Sequence, residues 1–151
     1  MYGEQVEIIF FGTANAFTTS ADNFQSNALI RTHGGQSLLI DCGADIRRSA
    51  HRLDYGAKDF DHVFITHAHS DHTGGLEWLG FTRYFSKMPR PKLYANPILL
   101  SQIEQMLAPS MCCLDGMRTD LSTFFDLKPT EAAFPHLDTE FQLISVEHTY
   151  N

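Results

Sequence analysis

The chain has 151 residues, 43% of them apolar, which suits one domain with a real core and argues against disorder. Eleven Lys and Arg face 18 Asp and Glu, a net charge of −7 spread over both halves, so no basic stripe exists to live on phosphate contacts. Apolar runs such as Ile8-Ile9-Phe10-Phe11 fall far short of a membrane span, and the start Met1-Tyr2-Gly3-Glu4 lacks the basic character of a signal peptide.

Val6–Phe11 reads as a buried strand ended by Gly12. Asn27–Thr32 and Gln36–Ile40 flank His33-Gly34-Gly35, a glycine-rich turn that suits a β-hairpin. Ile46, Ala50 and Leu53 then recur at offsets of four and three, the core stripe of a short helix with Arg47, Arg48 and Arg52 outside it. Gly56 is placed to end that helix. Val63–Thr66 is an apolar strand, Leu76–Phe85 a helix, Lys92–Ala95 a short strand, and Pro97–Leu107 a helix with proline in its first turn. Residues 108–137 lack clean periodicity and read as a long ordered loop or lid, with one helix around Leu121–Leu127. Phe141–Val146 is a final strand. The alternation of strands and helices gives an α/β layer fold. Nothing after Val146 is left to cover that last strand, so 1–151 reads as a single domain that is incomplete at its C-terminus.

Three cysteines, two of them the vicinal pair Cys112-Cys113, suggest no disulfide framework, and a reduced cytoplasmic compartment is expected. Histidine is the unusual residue: eight in all, three of them within six positions. Thr66-His67-Ala68-His69-Ser70-Asp71-His72-Thr73-Gly74-Gly75 follows a buried strand directly. Imidazole nitrogens with a carboxylate suit zinc, and also iron or manganese. His67 and His69, two apart on an extended turn, point the same way, while Asp71 and His72 reach a neighbouring point. Four such donors can feed two metals roughly 3.5–4 Å apart. Gly74 and Gly75 permit close backbone approach.

These residues resemble the hallmark His-x-His-x-Asp-His loop of the metallo-β-lactamase-fold superfamily. Phe11-Gly12-Thr13, Leu38-Leu39-Ile40-Asp41-Cys42-Gly43 and Val146-Glu147-His148-Thr149 resemble further parts of its pattern. The resemblance implies an αβ/βα sandwich, of which this chain supplies mainly the first half. It implies that His67, His69 and His148 hold a first metal and Asp71 and His72 a second, with Asp41 orienting the loop from below. Two divalent ions are implied, zinc first with manganese or iron as alternatives. A bridging aspartate and a last histidine belong to the superfamily's second half, so a continuing chain or a partner subunit, a homodimer included, is expected to complete the fold.

Asp22-Asn23-Phe24-Gln25-Ser26-Asn27-Ala28, Asp41 through Arg48 and Arg90 through Ala95 are similar to the phosphodiesterase and tRNA 3′-processing branch. That branch implies a hydrolase in which hydroxide held between two metals attacks a phosphodiester, with Asp71 as ligand and acceptor. The expected substrate is a small phosphodiester or an RNA 3′ end, with no extended nucleic-acid surface and no membrane. The alternatives are a glyoxalase II-like thioesterase or other ester or amide hydrolase, and a non-catalytic metal-binding fragment. His33, His51, His62 and His136 are read as structural or solvated, Cys112-Cys113 as a small apolar pair, Phe124-Phe125 and Met117 as core or interface, and Arg118 as a surface arginine.

Overall fold

The computed structural model describes residues 6–32, 34–136, 139–144 and 146. Its centre is a six-stranded sheet in the order β1-β2-β3-β4-β5-β8. The strands are β1 (Val6–Gly12), β2 (Asn27–Thr32), β3 (Ser37–Ile40), β4 (His62–Phe64), β5 (Lys92–Ala95) and β8 (Asp126–Pro129). β1, β2 and β3 pair antiparallel, and β3, β4, β5 and β8 pair parallel. The parallel part grows steadily in one direction. Right-handed crossovers therefore place its connecting helices on one face of the sheet.

Those helices are α1 (Ile46–His51), the short turn α2 (Ser70–Thr73), α3 (Leu76–Phe85), α4 (Pro97–Met111) and α5 (Leu121–Phe124). They bury Ile46, Ala50, Leu79, Ile103 and Phe124 against Leu29, Leu39, Val63 and Leu93 of the sheet and Ile65 just after β4. Asn96 caps α4 by accepting the Leu99 N–H at 2.8 Å, and Pro97 follows in the first turn. Arg83 of α3 is buried to 3% exposure. It donates to the carbonyls of Ala57, Phe60 and Pro89 and pairs with Asp61 at 2.6 Å.

The opposite face is only partly covered. A hairpin of β9 (Ala133–His136) and β10 (Thr139–Gln142) lies there. Its Phe134 stacks on Phe64, Tyr94 and Phe141, at centroid separations of 5.5, 4.9 and 5.3 Å. Leu38 and Tyr94 are buried beneath it, whereas Val6, Ile8 and Phe10 on the outer strand remain 56%, 56% and 60% exposed.

The sequence expectations need correction at several points. β1 is not a buried strand, because alternate residues face the uncovered side of an edge. α1 stops at His51 and Asp54 turns the chain at φ 62°, so Leu53 falls outside the helix and is exposed. Gly56 ends nothing; it precedes a single 3-10 turn at Ala57–Asp59, whose Asp59 carboxylate accepts its N–H. α4 runs on to Met111. The supposed loop 108–137 holds a small hairpin of β6 (Cys113–Leu114) and β7 (Met117–Arg118), then α5, β8 and β9. The Cys112-Cys113 pair is exposed, and Met117, read as core or interface, is exposed and so not core, while Phe124 and Phe125 are core. Among the described residues the last strand is Thr139–Gln142, so the expected strand Phe141–Val146 is met only at Phe141 and Gln142. Among the described residues no helix is long and apolar enough to cross a membrane.

Candidate metal centre

The histidine loop leaves the C-terminal end of β4 beside the end of β3, where two adjacent parallel strands deliver their following turns to one place. Asp41, just after β3, has φ 64°, a left-handed conformation that aspartate tolerates better than most residues. The bend sends its chain on toward α1 and its carboxylate across to the loop. Asp41 Oδ1 accepts the Thr66 N–H at 2.8 Å and the Thr66 hydroxyl lies 2.9 Å from both oxygens. Oδ2 accepts from His72 Nδ1 at 2.7 Å. One carboxylate thus ties both ends of the loop together, the role implied for it by the sequence.

Backbone contacts finish the clamp. The Cys42 N–H donates to the His72 carbonyl and the Gly75 N–H to the Cys42 carbonyl, both at 2.8 Å. A Cβ at Gly43 would overlap the Asp71 carbonyl oxygen, so only glycine lets the two turns approach. Buried Asn27 accepts the Gly43 N–H at 2.7 Å and donates to the Gln25 carbonyl. Burial pushes the Cys42 thiol well above its ordinary range, which marks it as an inert packing group.

The structure brings four expected donors together. His67 Nε2 lies 3.0 Å from His69 Nδ1, and His72 Nε2 lies 3.3 Å from Asp71 Oδ2. The His67 ring centroid is 4.6 Å from that of His69 and 4.0 Å from that of His72. Asp71 is buried to 7% exposure. His72 has its pKa raised, first by the hydrogen bond to Asp41, then against burial by the charges of Asp41 and Asp71.

Tetrahedral zinc with bonds of about 2.0–2.1 Å holds neighbouring ligand atoms roughly 3.3 Å apart. Both donor pairs sit near that separation, and His72 carries the carboxylate partner on its other nitrogen that metal-ligating histidines usually have. The residues present fit a divalent metal in chemistry and in pairwise spacing. They do so as two pairs: among the described residues no group of three or more His, Cys, Asp or Glu is arranged to hold one ion. His148, implied as the third ligand of the first pair, lies outside the described residues, as does His33.

Thr66 and Asn27 carry more of the site than their sequence positions suggested. The Thr66 hydroxyl bridges Asp41 and His67 Nδ1, the latter at 2.9 Å. A small hydroxyl residue directly between the strand and the first histidine was the available signal. Of the other histidines, His62 stands 3.1 Å from the Tyr94 hydroxyl, His51 is exposed on α1 and His136 lies in β9. Beside His67 opens a cleft of about 500 Å³, lined by Thr66, Asn96, Glu131, Gln142 and Leu143 among others. Arg118 lines a separate pocket at the end of α4.

The chain matches, over residues 6–151, the family model described as Anti-Pycsar protein Apyc1. The Anti-Pycsar protein Apyc1 of Paenibacillus sp. (strain J14) is 34% identical over 140 residues, covering 91% of this chain and 56% of that protein. The chain spans about half the length of the curated relatives it matches. Among solved structures, the metallo-beta-lactamase fold protein YhfI from Bacillus subtilis matches with a TM-score of 0.64 at 20% identity, covering 86% of this chain and 48% of that one. Human tRNase Z, short form, matches with a TM-score of 0.57 at 26% identity, covering 70% and 39%. The fold is that of the metallo-β-lactamases.

Proposed function

The chain belongs to the Anti-Pycsar protein Apyc1 family, and on that premise we propose that it forms part of a dinuclear metal-dependent hydrolase acting on a small phosphodiester. The observation that carries this reading is the pairing of His67 with His69 and of Asp71 with His72 at ligand spacing, on a loop locked by Asp41. His67 and His69, with His148, would hold one ion. Asp71 and His72 would hold the other, with further ligands from a continuing chain or a partner subunit. When bound, such a pair of ions supplies a nucleophile at neutral pH and charge stabilisation for a phosphoryl group. Zinc suits the nitrogen-rich donors best, with manganese and iron as alternatives.

The protein's own part is positioning. Asp41 holds a proton on His72 Nδ1, so that Nε2 is the nitrogen that would ligate a metal beside Asp71. Thr66 steadies the His67 ring from its far nitrogen. Asp71, acceptor-only when ionised, is placed to receive a proton-bearing nucleophile and set its direction. A cleft of about 500 Å³ suits a substrate the size of one nucleotide. A net charge of −7 disfavours long polyanions.

The relatives' name describes an opposing role, and hydrolysis is one chemical means of it. The test uses the full-length native protein with a chromogenic phosphodiester, a cyclic mononucleotide, a precursor tRNA and a glutathione thioester. Metal-dependent cleavage of the two small phosphodiesters is expected, lost together with bound metal in His69→Ala. Metal-loaded protein that turns over only the thioester, or nothing, would reject the reading.

A further inference from the structure

Three arginines crowd one short helix at the same end of the sheet as the metal loop. Arg47, Arg48 and Arg52, with His51, line a concave pocket of about 410 Å³ completed by Ala21 and Phe24. The helix gains little from them. Arg48 and Arg52 are like charges four residues apart, which repel, and Arg47 sits in the first turn, where the helix dipole disfavours a cation.

The surrounding carboxylates do not balance the group. Asp22 meets Arg52 at 3.3 Å, with side chains 87% and 53% exposed, a weak pair in water. The Arg52 guanidinium also lies 5.5 Å over the Phe24 ring. Asp45 gives one oxygen to the Gln25 N–H and buries the other. Among the described residues, Arg47 and Arg48 have no acidic partner within ion-pair distance. Two of the three guanidinium groups lining the pocket, those of Arg47 and Arg48, thus lack an ion-pair partner among the described residues, in a chain whose net charge is −7.

We propose that this pocket is an anion site, separate from the metal centre, that takes the dianionic phosphate of a phosphate monoester. The two unpaired guanidinium groups match a phosphomonoester, which carries about −1.5 to −2 at pH 7. A phosphodiester monoanion leaves one of them unmet. Guanidinium forks suit the tetrahedral oxygens, and Phe24 holds Arg52 at the edge of the pocket. The pocket also shares a frame with the metal loop: Gln25, next to Phe24, hydrogen-bonds through its backbone to Asp45 and is gripped by Asn27, which holds Gly43. The inference does not rest on the hydrolase reading. If that reading holds, the site binds the class of compound that phosphodiester cleavage releases.

The experiment follows arginine side-chain N–H signals by NMR in the full-length native protein, at fixed ionic strength. The probes are inorganic phosphate, methyl phosphate and dimethyl phosphate. Saturable shifts with the first two are expected, with dimethyl phosphate at least tenfold weaker. Arg47→Gln/Arg48→Gln should weaken binding by tenfold or more, and either single change by about threefold, with metal content and melting temperature unchanged. Glutamine keeps the helix propensity, so the fold should persist. Equal affinity for the monoester and the diester, undiminished binding in the variants, or no arginine shifts at all would overturn the proposal. Turnover is measured in parallel; its absence would sink the hydrolase reading and leave the arginine readout standing.

Discussion

Asp41 Oδ2 lies 2.7 Å from His72 Nδ1, and this contact decides what the opposite nitrogen of the ring can do. A carboxylate only accepts, so Nδ1 holds its proton toward Asp41, and Nε2, 3.3 Å from Asp71 Oδ2, is the nitrogen left to face a metal. The same carboxylate holds Thr66 at the other end of the loop, so the shape of the loop and the chemistry of its last histidine share one anchor.

Asp41→Asn separates these functions. Asparagine tolerates the left-handed backbone at φ 64°, so the turn itself should survive. Its amide cannot accept at both oxygen positions, and either the Thr66 or the His72 bond is lost. Metal affinity at the Asp71–His72 pair should fall by about 10–100-fold, the usual cost of a lost supporting partner. Competition titration against a chelator in the full-length protein checks this; unchanged affinity would show that the His72 tautomer is set elsewhere.

Asp71→Asn changes the reacting end instead. The amide keeps the side chain's volume but removes its charge and one of its acceptor positions. Turnover should drop by about two or more orders of magnitude, the scale of a lost acid–base or electrostatic group, while the melting temperature stays within a few degrees. Near wild-type turnover would reduce Asp71 to a structural role.

How much of this was legible in the sequence follows from which signals are local. β2 and β5 are legible as short continuous apolar runs, β2 beside a glycine-rich turn, α3 as a longer apolar stretch, and the histidine loop because its residue types are rare and close together. β8 was hidden. Asp126-Leu127-Lys128-Pro129 offers one inward apolar residue, Leu127 opposite Leu93, and its strand character comes from pairing with β5. The β6–β7 hairpin is encoded locally: Asp115 and Gly116 have φ 49° and 79°, the primed turn that an Asp-Gly pair favours. Thr66 and Asn27 act through partners 25 and 16 residues away, and no local pattern encodes that.

Gly43→Ala tests the close approach of the two turns. The added Cβ would overlap backbone, the Asp71 carbonyl oxygen, which cannot swing aside as a side chain can. A destabilisation of about 1–3 kcal/mol is expected, as for overpacked interiors, with weakened metal binding. Gly56→Ala is the control, since a Cβ there meets nothing within 4 Å and its φ of −153° suits any residue. Comparable melting temperatures for the two variants would show that the turns can separate freely.

Arg83→Met probes the buried cation beneath α3. Methionine fills much of the space but leaves the carbonyls of Ala57, Phe60 and Pro89 without this donor. Ala57 keeps the Phe60 N–H and Pro89 is exposed, so the main penalty falls on the buried Phe60 carbonyl, roughly 1–3 kcal/mol for an unsatisfied acceptor, partly offset by the desolvation of a charge avoided. A net loss of about 1–2 kcal/mol in denaturant unfolding is expected. Arg83→Lys should recover little, because an ammonium cannot serve acceptors spread around a planar fork. Wild-type stability in the methionine variant would mean that water replaces the guanidinium.

The last prediction concerns the uncovered side of β1. Val6, Ile8 and Phe10 are 56–60% exposed on an edge strand, on the face where Phe134 of the hairpin covers only the strands further in. Fully burying such side chains is worth about 1.5–3 kcal/mol each, and an edge strand adds unpaired backbone groups to the same surface. A polypeptide of these 151 residues alone should therefore self-associate, through the face that a sandwich's other sheet would cover. Light scattering at increasing concentration measures this. Ile8→Lys with Phe10→Lys should shift the polypeptide toward monomer without loss of helical signal, since both positions are open in the present fold. A monomer at high concentration before the substitution would show that this face needs no cover, and that the sheet is complete with the hairpin it has.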